Sequence, residues 1–283
     1  MTQAVRTLML CADDFGQSPG ISNAIAELAQ LAQAQRLSST LCLTNGAHWH
    51  TQAPLLRTLP PSVQRGLHFN LTEGTPLSAE LRRVWPQFPT LPRLIAQAHL
   101  RRLPQAAIAA EFNAQLAAFS DGARQAPDHI DGHQHVHHLP GVRDVLLHAL
   151  GCMAAPPAVR STARPLGPGF DVKRFLIAHT GGVALQRLLA RSRIRRNPAL
   201  LGVYGFDTEN YRGLMQAWLA ALPAEGGLLF CHPGAADAEN DPIAKARVRE
   251  HAYLGSAAFG DDLAAANVQL GPVWQLSETS SVG

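Results

Sequence analysis

The chain has 283 residues, 46% of them hydrophobic and 16% charged, with a formal net charge of +3 at pH 7. That composition suits a well-buried globular core and excludes a disordered or coiled-coil chain. The charge is too mild for a nucleic-acid partner, and neither an RNA-binding signature nor zinc-finger spacing is present.

The N-terminus runs straight into a strand-like segment and then acids, with no charged region followed by a long apolar one, so no signal peptide is expected. No run approaches the roughly 18 apolar residues of a membrane span. The expected compartment is the cytoplasm. Cys11, Cys42, Cys152 and Cys231 form no C-x-x-C pair, and three of them fall in apolar strand-like runs, as buried free thiols would.

In chain order, residues 8–12 read as a strand. Ser18 can then cap a helix with Pro19 at its first position, and Ile21, Ala24, Ile25, Leu28 and Leu31 share a face. Residues 39–45 (STLCLTN) make a second strand, 47–57 a helix and 66–71 (GLHFNL) a third strand. Residues 74–105, rich in proline and arginine, read as a long loop or insertion. Pro104 starts a helix with Ile108, Phe112, Leu116 and Phe119 on one face, a short strand follows at 129–131, and 141–150 is helical.

Then come a strand at 158–160, a helical insertion at about 170–196, a strand at 202–206 and a helix at about 208–222. A strand at 227–232, a helix at about 243–254 and a last strand near 268–270 complete the pattern, and the tail from Ser277 is small and polar. Strands alternating with helices give a mostly parallel sheet, and seven or so such units favour a barrel over an open sheet. The expectation is one α/β domain over 1–283, a distorted (β/α) TIM-like barrel with insertions near 74–105 and 164–200.

The polar clusters sit where strands end, and in a parallel α/β protein those ends share one face. Asp13 and Asp14 follow the first strand; adjacent carboxylates there point in opposite directions, so one can bind a metal while the other stays free as a base. A strand-to-helix turn capped by aspartate gives the same pair. His68 lies in the third strand, where alone it reads as a core histidine.

The segment HIDGHQHVHH places Asp131, His133, His135 and His137 after the fourth strand. In an extended stretch the three histidines face one side; in a turn only one or two point inward. One carboxylate and two histidines with open positions is a common catalytic metal set. His232 ends the strand GGLLFCH, before Pro233 and Gly234. A histidine outside the ligand set can protonate a leaving amine.

Taken together, ADDFG (12–16), STLCLTNG (39–46), GLHFNLTEGTPL (66–77), HIDGHQHVHHLP (129–140), FCHPG (230–234) and R-x-x-E (Arg247, Glu250) resemble the YdjC-type carbohydrate deacetylases. That family includes chitooligosaccharide deacetylase and hopanoid-biosynthesis-associated relatives. The resemblance implies a distorted barrel that hydrolyses an N-acetyl group from an amino sugar with a divalent cation, usually magnesium. By it the metal ligands are Asp14, His68 and His133, the base is Asp13 and the acid is His232. His135 and His137 become supporting or lining residues, and Arg160, Tyr204 and Arg247 are further candidates for substrate contact.

Ligand softness points elsewhere: imidazole favours zinc or another transition metal, and magnesium an all-oxygen shell. Alternatives are hydrolysis of another amide, such as a formyl or acyl group on a lipid-linked or nucleoside-linked amino sugar, and a non-catalytic carbohydrate-binding protein on the same scaffold. A pure binder needs neither Asp13 nor His232. Arg187, Arg191, Arg193, Arg195 and Arg196 lie in one run without an acid, suited to a solvated helix face or to peripheral contact with an anionic surface. The sequence leaves the oligomeric state open, a homodimer included.

Overall fold

The longest strand, β1 (Arg6–Phe15), is buried from Leu8 to its end and forms the spine of the sheet. A computed structural model describes residues 4–31, 36–237 and 241–276 of the chain. Ser18 caps α1 (Pro19–Gln30) by accepting a hydrogen bond from the Ile21 amide, with proline in the first turn. Leu31, expected on the buried face, lies just past the helix and is 37% exposed.

β2 (Ser39–Cys42), α2 (Trp49–Leu56) and β3 (Gln64–Phe69) follow. The stretch expected as a loop carries two helices, α3 (Ala79–Val84), capped by Ser78, and α4 (Leu91–His99), with proline in its first turn. α5 (Gln105–Ala123) packs Ile108, Phe112 and Phe119 inward, and also buries Glu111 and Gln115. β4 (His129–Gly132) leads into a 3₁₀ turn over His133–His138 and then α6 (Val142–Gly151).

β5 (Ala158–Val159) is followed by α7 (Asp171–Ile177), a π-helical turn over Ala178–Gly182, and α8 (Val183–Arg191). β6 is Leu200–Leu201, two residues upstream of the expected strand. Gly202 ends it: its φ is +103°, and a Cβ there would lie 2.3 Å from the Phe230 carbonyl oxygen. α9 (Tyr211–Ala221), β7 (Gly227–Cys231), α10 (Ala244–Leu254), α11 (Ala257–Ala265) and β8 (Val268–Leu270) complete the described chain. α11 is a further helix absent from the sequence reading.

All pairings between these strands are parallel, in the order β5-β4-β3-β2-β1-β7-β6, with β8 also on β1. Bridges Val159↔Arg196 and Pro165↔Leu200 carry the β5 edge toward β6, so the sheet curls into a distorted (β/α) barrel. Met9, Cys11, Leu41, Leu200, Val203, Leu228, Phe230 and Val273 form one buried cluster, and a larger one contains the helix-facing side chains. Trp274 packs at a tilt against His129, ring centroids 5.0 Å apart, and donates to Gln64 at the start of β3, 2.7 Å away. The C-terminal segment therefore crosses the barrel at the strand starts, leaving the strand ends for the polar clusters.

Cys11, Cys42 and Cys231 are buried free thiols, and Cys152 is exposed. Among the described residues no helix is long and apolar enough to cross a membrane. No carboxylate pairs with Arg187, Arg191, Arg193, Arg195 or Arg196 among the described residues.

Candidate metal centre and active site

β1 does not end as a regular strand. Its register against β2 shifts between Ala12 and Phe15, and Asp14 adopts a left-handed φ of 72°. A bulge of this kind re-aims side chains. Asp13 and Asp14 therefore do not diverge to opposite faces, as simple alternation predicts; both are buried, 2% and 1% exposed, and both approach His68.

β3 and β4 place His68 directly beside Asp131. His68 Nδ1 lies 2.5 Å from Asp131 Oδ1, which leaves Nε2 facing the end of β1. There Nε2 lies 3.5 Å from Asp14 Oδ1 and 3.2 Å from His133 Nδ1, and His133 Nδ1 lies 3.2 Å from Asp14 Oδ1. The other nitrogen of His133 reaches Glu73 Oε1 at 3.0 Å. Each histidine thus has one nitrogen on an outer carboxylate and one on the common point, the usual arrangement around a bound metal.

The three converging atoms fit a cation. With ligand bonds of about 2.0–2.1 Å, tetrahedral neighbours stand roughly 3.4 Å apart, close to the separations found here. Asp14 Oδ1 is buried with no hydrogen-bond partner. One carboxylate and two imidazoles suit zinc and its transition-metal neighbours better than magnesium.

Two buried arginines divide the adjacent aspartates between them. Arg160, just past β5, donates to both oxygens of Asp13 at 2.8 and 2.7 Å and lies 2.5 Å from Asp131 Oδ2. Arg247, on α10, donates to Asp14 Oδ2 at 2.8 Å, to Gln17 at 2.9 Å and to Asp241 at 2.5 Å. The Arg247 contact leaves Oδ1 of Asp14 for the common point.

The electrostatics follow. Burial opposes the charge on Asp14, but Arg247 and the contacts with His133 and His68 outweigh it and hold the carboxyl well below its usual range. Burial also opposes charge on the two histidines. Asp131 nevertheless pushes His68 up to about 10, and Asp14 and Glu73 push His133 up to about 9. Without a cation the pocket draws protons onto both.

His232, half-buried, lies between the ring edges of Phe206 and Phe230, at centroid distances of 5.2 and 5.6 Å. Burial pulls its pKa down to about 4, although Asp14 and Asp13 oppose this.

The remaining candidates are placed as follows. His135 is half-buried with its ring 5.3 Å from that of Phe230, where it can line the site. His137 does not line it: the side chain is fully buried and bonds the Arg160 carbonyl at 2.8 Å. Of the two arrangements open to His133, His135 and His137, the turn is the one adopted: Gln134 and His135 both take left-handed φ values, 52° and 63°.

Arg160, Arg247 and Tyr204 are at most 2% exposed and make internal hydrogen bonds. The Tyr204 hydroxyl donates to Glu250.

The sequence reading did not single out Glu73. Its turn is held by Asn70, whose side chain accepts from the Thr72 and Glu73 amides and donates to the Glu73 carbonyl. Gln115 of α5 bonds both backbone groups of Asn70, at 3.0 and 2.8 Å. The segment NLTEG contains Glu73, but no local pattern connects it to a histidine sixty positions on.

Comparison with known proteins gives the chain's family and shared fold. The YdjC-like protein family model matches residues 7–265. A chitooligosaccharide deacetylase of Klebsiella pneumoniae (strain 342) is 32% identical over 249 residues, covering 82% of this chain and 83% of the relative. Human carbohydrate deacetylase is 36% identical over 177 residues, covering 60% of this chain and 51% of the relative, so the chain spans about half of that protein. A crystal structure from Enterococcus faecalis V583, described as a candidate cellobiose-phosphate cleavage protein, shares the fold with a TM-score of 0.73 at 19% identity, covering 95% and 98% of the two chains. The chain belongs to the YdjC-like family.

Proposed function

We propose that this YdjC-like protein is a metal-dependent hydrolase that removes an N-acetyl group from an amino sugar or oligosaccharide. The observation that carries the reading is the convergence of Asp14 Oδ1, His68 Nε2 and His133 Nδ1 within 3.5 Å of one another, with Asp13 and His232 left outside the set. The deacetylase names of the curated relatives support the substrate class.

Asp14, His68 and His133 would hold one divalent cation, magnesium by family resemblance and zinc by donor chemistry. When bound, the cation supplies Lewis acidity toward the acyl carbonyl and the attacking water. Asp131 and Glu73 keep the two imidazoles turned toward it.

Asp13 is the carboxylate left to accept a proton from water; Arg160 orients it and leaves further lone pairs on both oxygens. His232 delivers a proton to the departing amine. Its depressed pKa keeps it neutral near pH 7, so the proton it delivers has to be acquired within the turnover. The proton released by water is the available one: one water is consumed, the C–N bond breaks, and acid and amine result.

A second reading concerns the substrate's other end. α7 buries none of its side chains, and Val172, Phe175 and Leu176 are 74%, 59% and 53% exposed. The helix borders the site: Lys173 donates to the Tyr204 carbonyl at 2.7 Å and lies over Phe206, whose ring meets His232. An amino sugar carrying an apolar group would find a surface there. Assay of protein reconstituted separately with zinc and magnesium against a panel of N-acetylated sugars, reading released acetate, tests the main reading. No acetate from any member with either metal sinks it.

A further inference from the structure

α10 carries Arg247 and Glu250 three residues apart, on one face of the helix, and both are buried, 2% and 0% exposed. A fully buried carboxylate is costly unless its oxygens are used. Glu250 uses both: Oε1 accepts from the Tyr204 hydroxyl, and Oε2 accepts from the His232 backbone amide at 2.6 Å. The next turn of the chain is tied to the same helix, because the Gly234 amide donates to the Arg247 carbonyl at 3.3 Å. Gly234 has no room for a side chain: a Cβ would lie 2.8 Å from Ile21 and 3.1 Å from Arg247. The Arg247 guanidinium meanwhile holds Asp14.

We propose that one turn of α10 is a two-ended positioning element, in which Glu250 holds the His232-Pro233-Gly234 turn through the His232 amide while Arg247 orients Asp14. The inference rests on the deacetylase reading for its catalytic consequence. Neither residue touches substrate. Glu250 acts through His232, fixing where its imidazole stands between Phe206 and Phe230. Arg247 acts through Asp14, reserving Oδ1 for the cation. The spacing R-x-x-E is what sets the two ends of the site in register.

The test uses the full chain loaded with zinc. Glu250→Leu removes both acceptors; Glu250→Gln keeps a carbonyl acceptor for the His232 amide. In Glu250→Leu, hydrogen exchange at the His232 amide should accelerate at least about tenfold, and kcat should fall roughly 10–100-fold, as sub-ångström to ångström misplacement does. KM and zinc affinity should stay within about twofold. Glu250→Gln should restore amide protection and most of kcat. Arg247→Met should show the converse, a zinc affinity roughly 10–100-fold weaker with His232 exchange unchanged.

An unchanged His232 exchange rate in a folded Glu250→Leu protein overturns the proposal. So does loss of zinc and KM together with kcat, which marks a merely structural carboxylate. Should the wild-type protein release no acetate, the deacetylase reading fails, while amide exchange and zinc affinity still decide the positioning claim.

Discussion

Arg160 donates to both oxygens of Asp13, and the same guanidinium lies 2.5 Å from Asp131, the carboxylate that holds His68. One buried cation therefore links the proposed base to the outer partner of a proposed ligand. Removing it leaves the buried Asp13 without its counter-charge and Asp131 with His68 alone. Arg160→Met should destabilise the fold by about 3–5 kcal/mol, the usual cost of breaking a buried pair. Arg160→Lys keeps the charge but loses the two-pronged grip, so it should retain more stability and still turn over poorly. Thermal unfolding beside acetate release reads both.

The proton inventory at His232 makes a separate prediction. A histidine with a pKa of about 4 that had to start protonated would lose activity about tenfold per pH unit above that value. Acquisition of the proton during turnover predicts instead a kcat that stays level from about pH 5.5 to 8. His232→Ala should keep the bound metal and lose about 10²–10⁴-fold in kcat. A steep fall of wild-type kcat across that range contradicts the proton route given above.

Metal-free protein should have a distinctive pH response. His68 and His133 are raised to about 10 and about 9 by Asp131, Asp14 and Glu73, against the opposing effect of burial. Their protonation favours the folded state fully below the unfolded value of about 6.5 and ceases to do so as pH rises through 9 to 10. Asp14 works in the other direction, stabilising above its unfolded pKa and losing that effect in acid. The Tm of chelator-treated protein should thus decline between about pH 6.5 and 10. A bound cation replaces the two protons, so the Tm gap between loaded and metal-free protein should widen over that window. A gap that is flat with pH argues against these histidines as the ligands.

The exposed side of α7 gives a substrate test. Replacing Val172, Phe175 and Leu176 together by serine removes apolar surface without touching the core. If an apolar substituent docks there, kcat/KM for an amphiphilic N-acetylated sugar should fall about tenfold or more, since a single well-buried apolar group contributes about 1.5–3 kcal/mol. Hydrolysis of a small water-soluble sugar should not change. Equal effects on both substrates remove the second reading.

Much of the barrel was legible in the sequence because its strands are short apolar runs. β1, β2, β3 and β7 fall where composition places them. β6 was misplaced because its end is set by the approach of Phe230 to Gly202, a contact across the sheet rather than a local signal. α3 and α4 were hidden by the prolines and arginines of 74–105, although Ser78 provides a helix cap. At the site, the polar clusters are legible at the ends of apolar strands, and the resemblance to the YdjC-type family is what singles out Asp14, His68 and His133 among them. The histidine run leaves an extended and a turned arrangement open, and two successive left-handed residues, Gln134 and His135, select the turn. The support from Glu73, Arg160 and Glu250 is made by pairings between residues far apart in sequence, which spacing cannot reveal.

The two adjacent aspartates test the central claim most directly, because they stand side by side with different proposed roles. The measurement is metal content by mass spectrometry, beside acetate release with and without added metal, for Asp14→Asn and Asp13→Asn. Asp14→Asn exchanges a charged ligand for a weaker neutral one, so it should lose metal and regain part of its activity when metal is in excess. Asp13→Asn should hold metal almost normally and stay inactive at any metal concentration. Metal lost from Asp13→Asn but kept by Asp14→Asn reverses the assignment; normal metal and normal turnover in both contradict the mechanism.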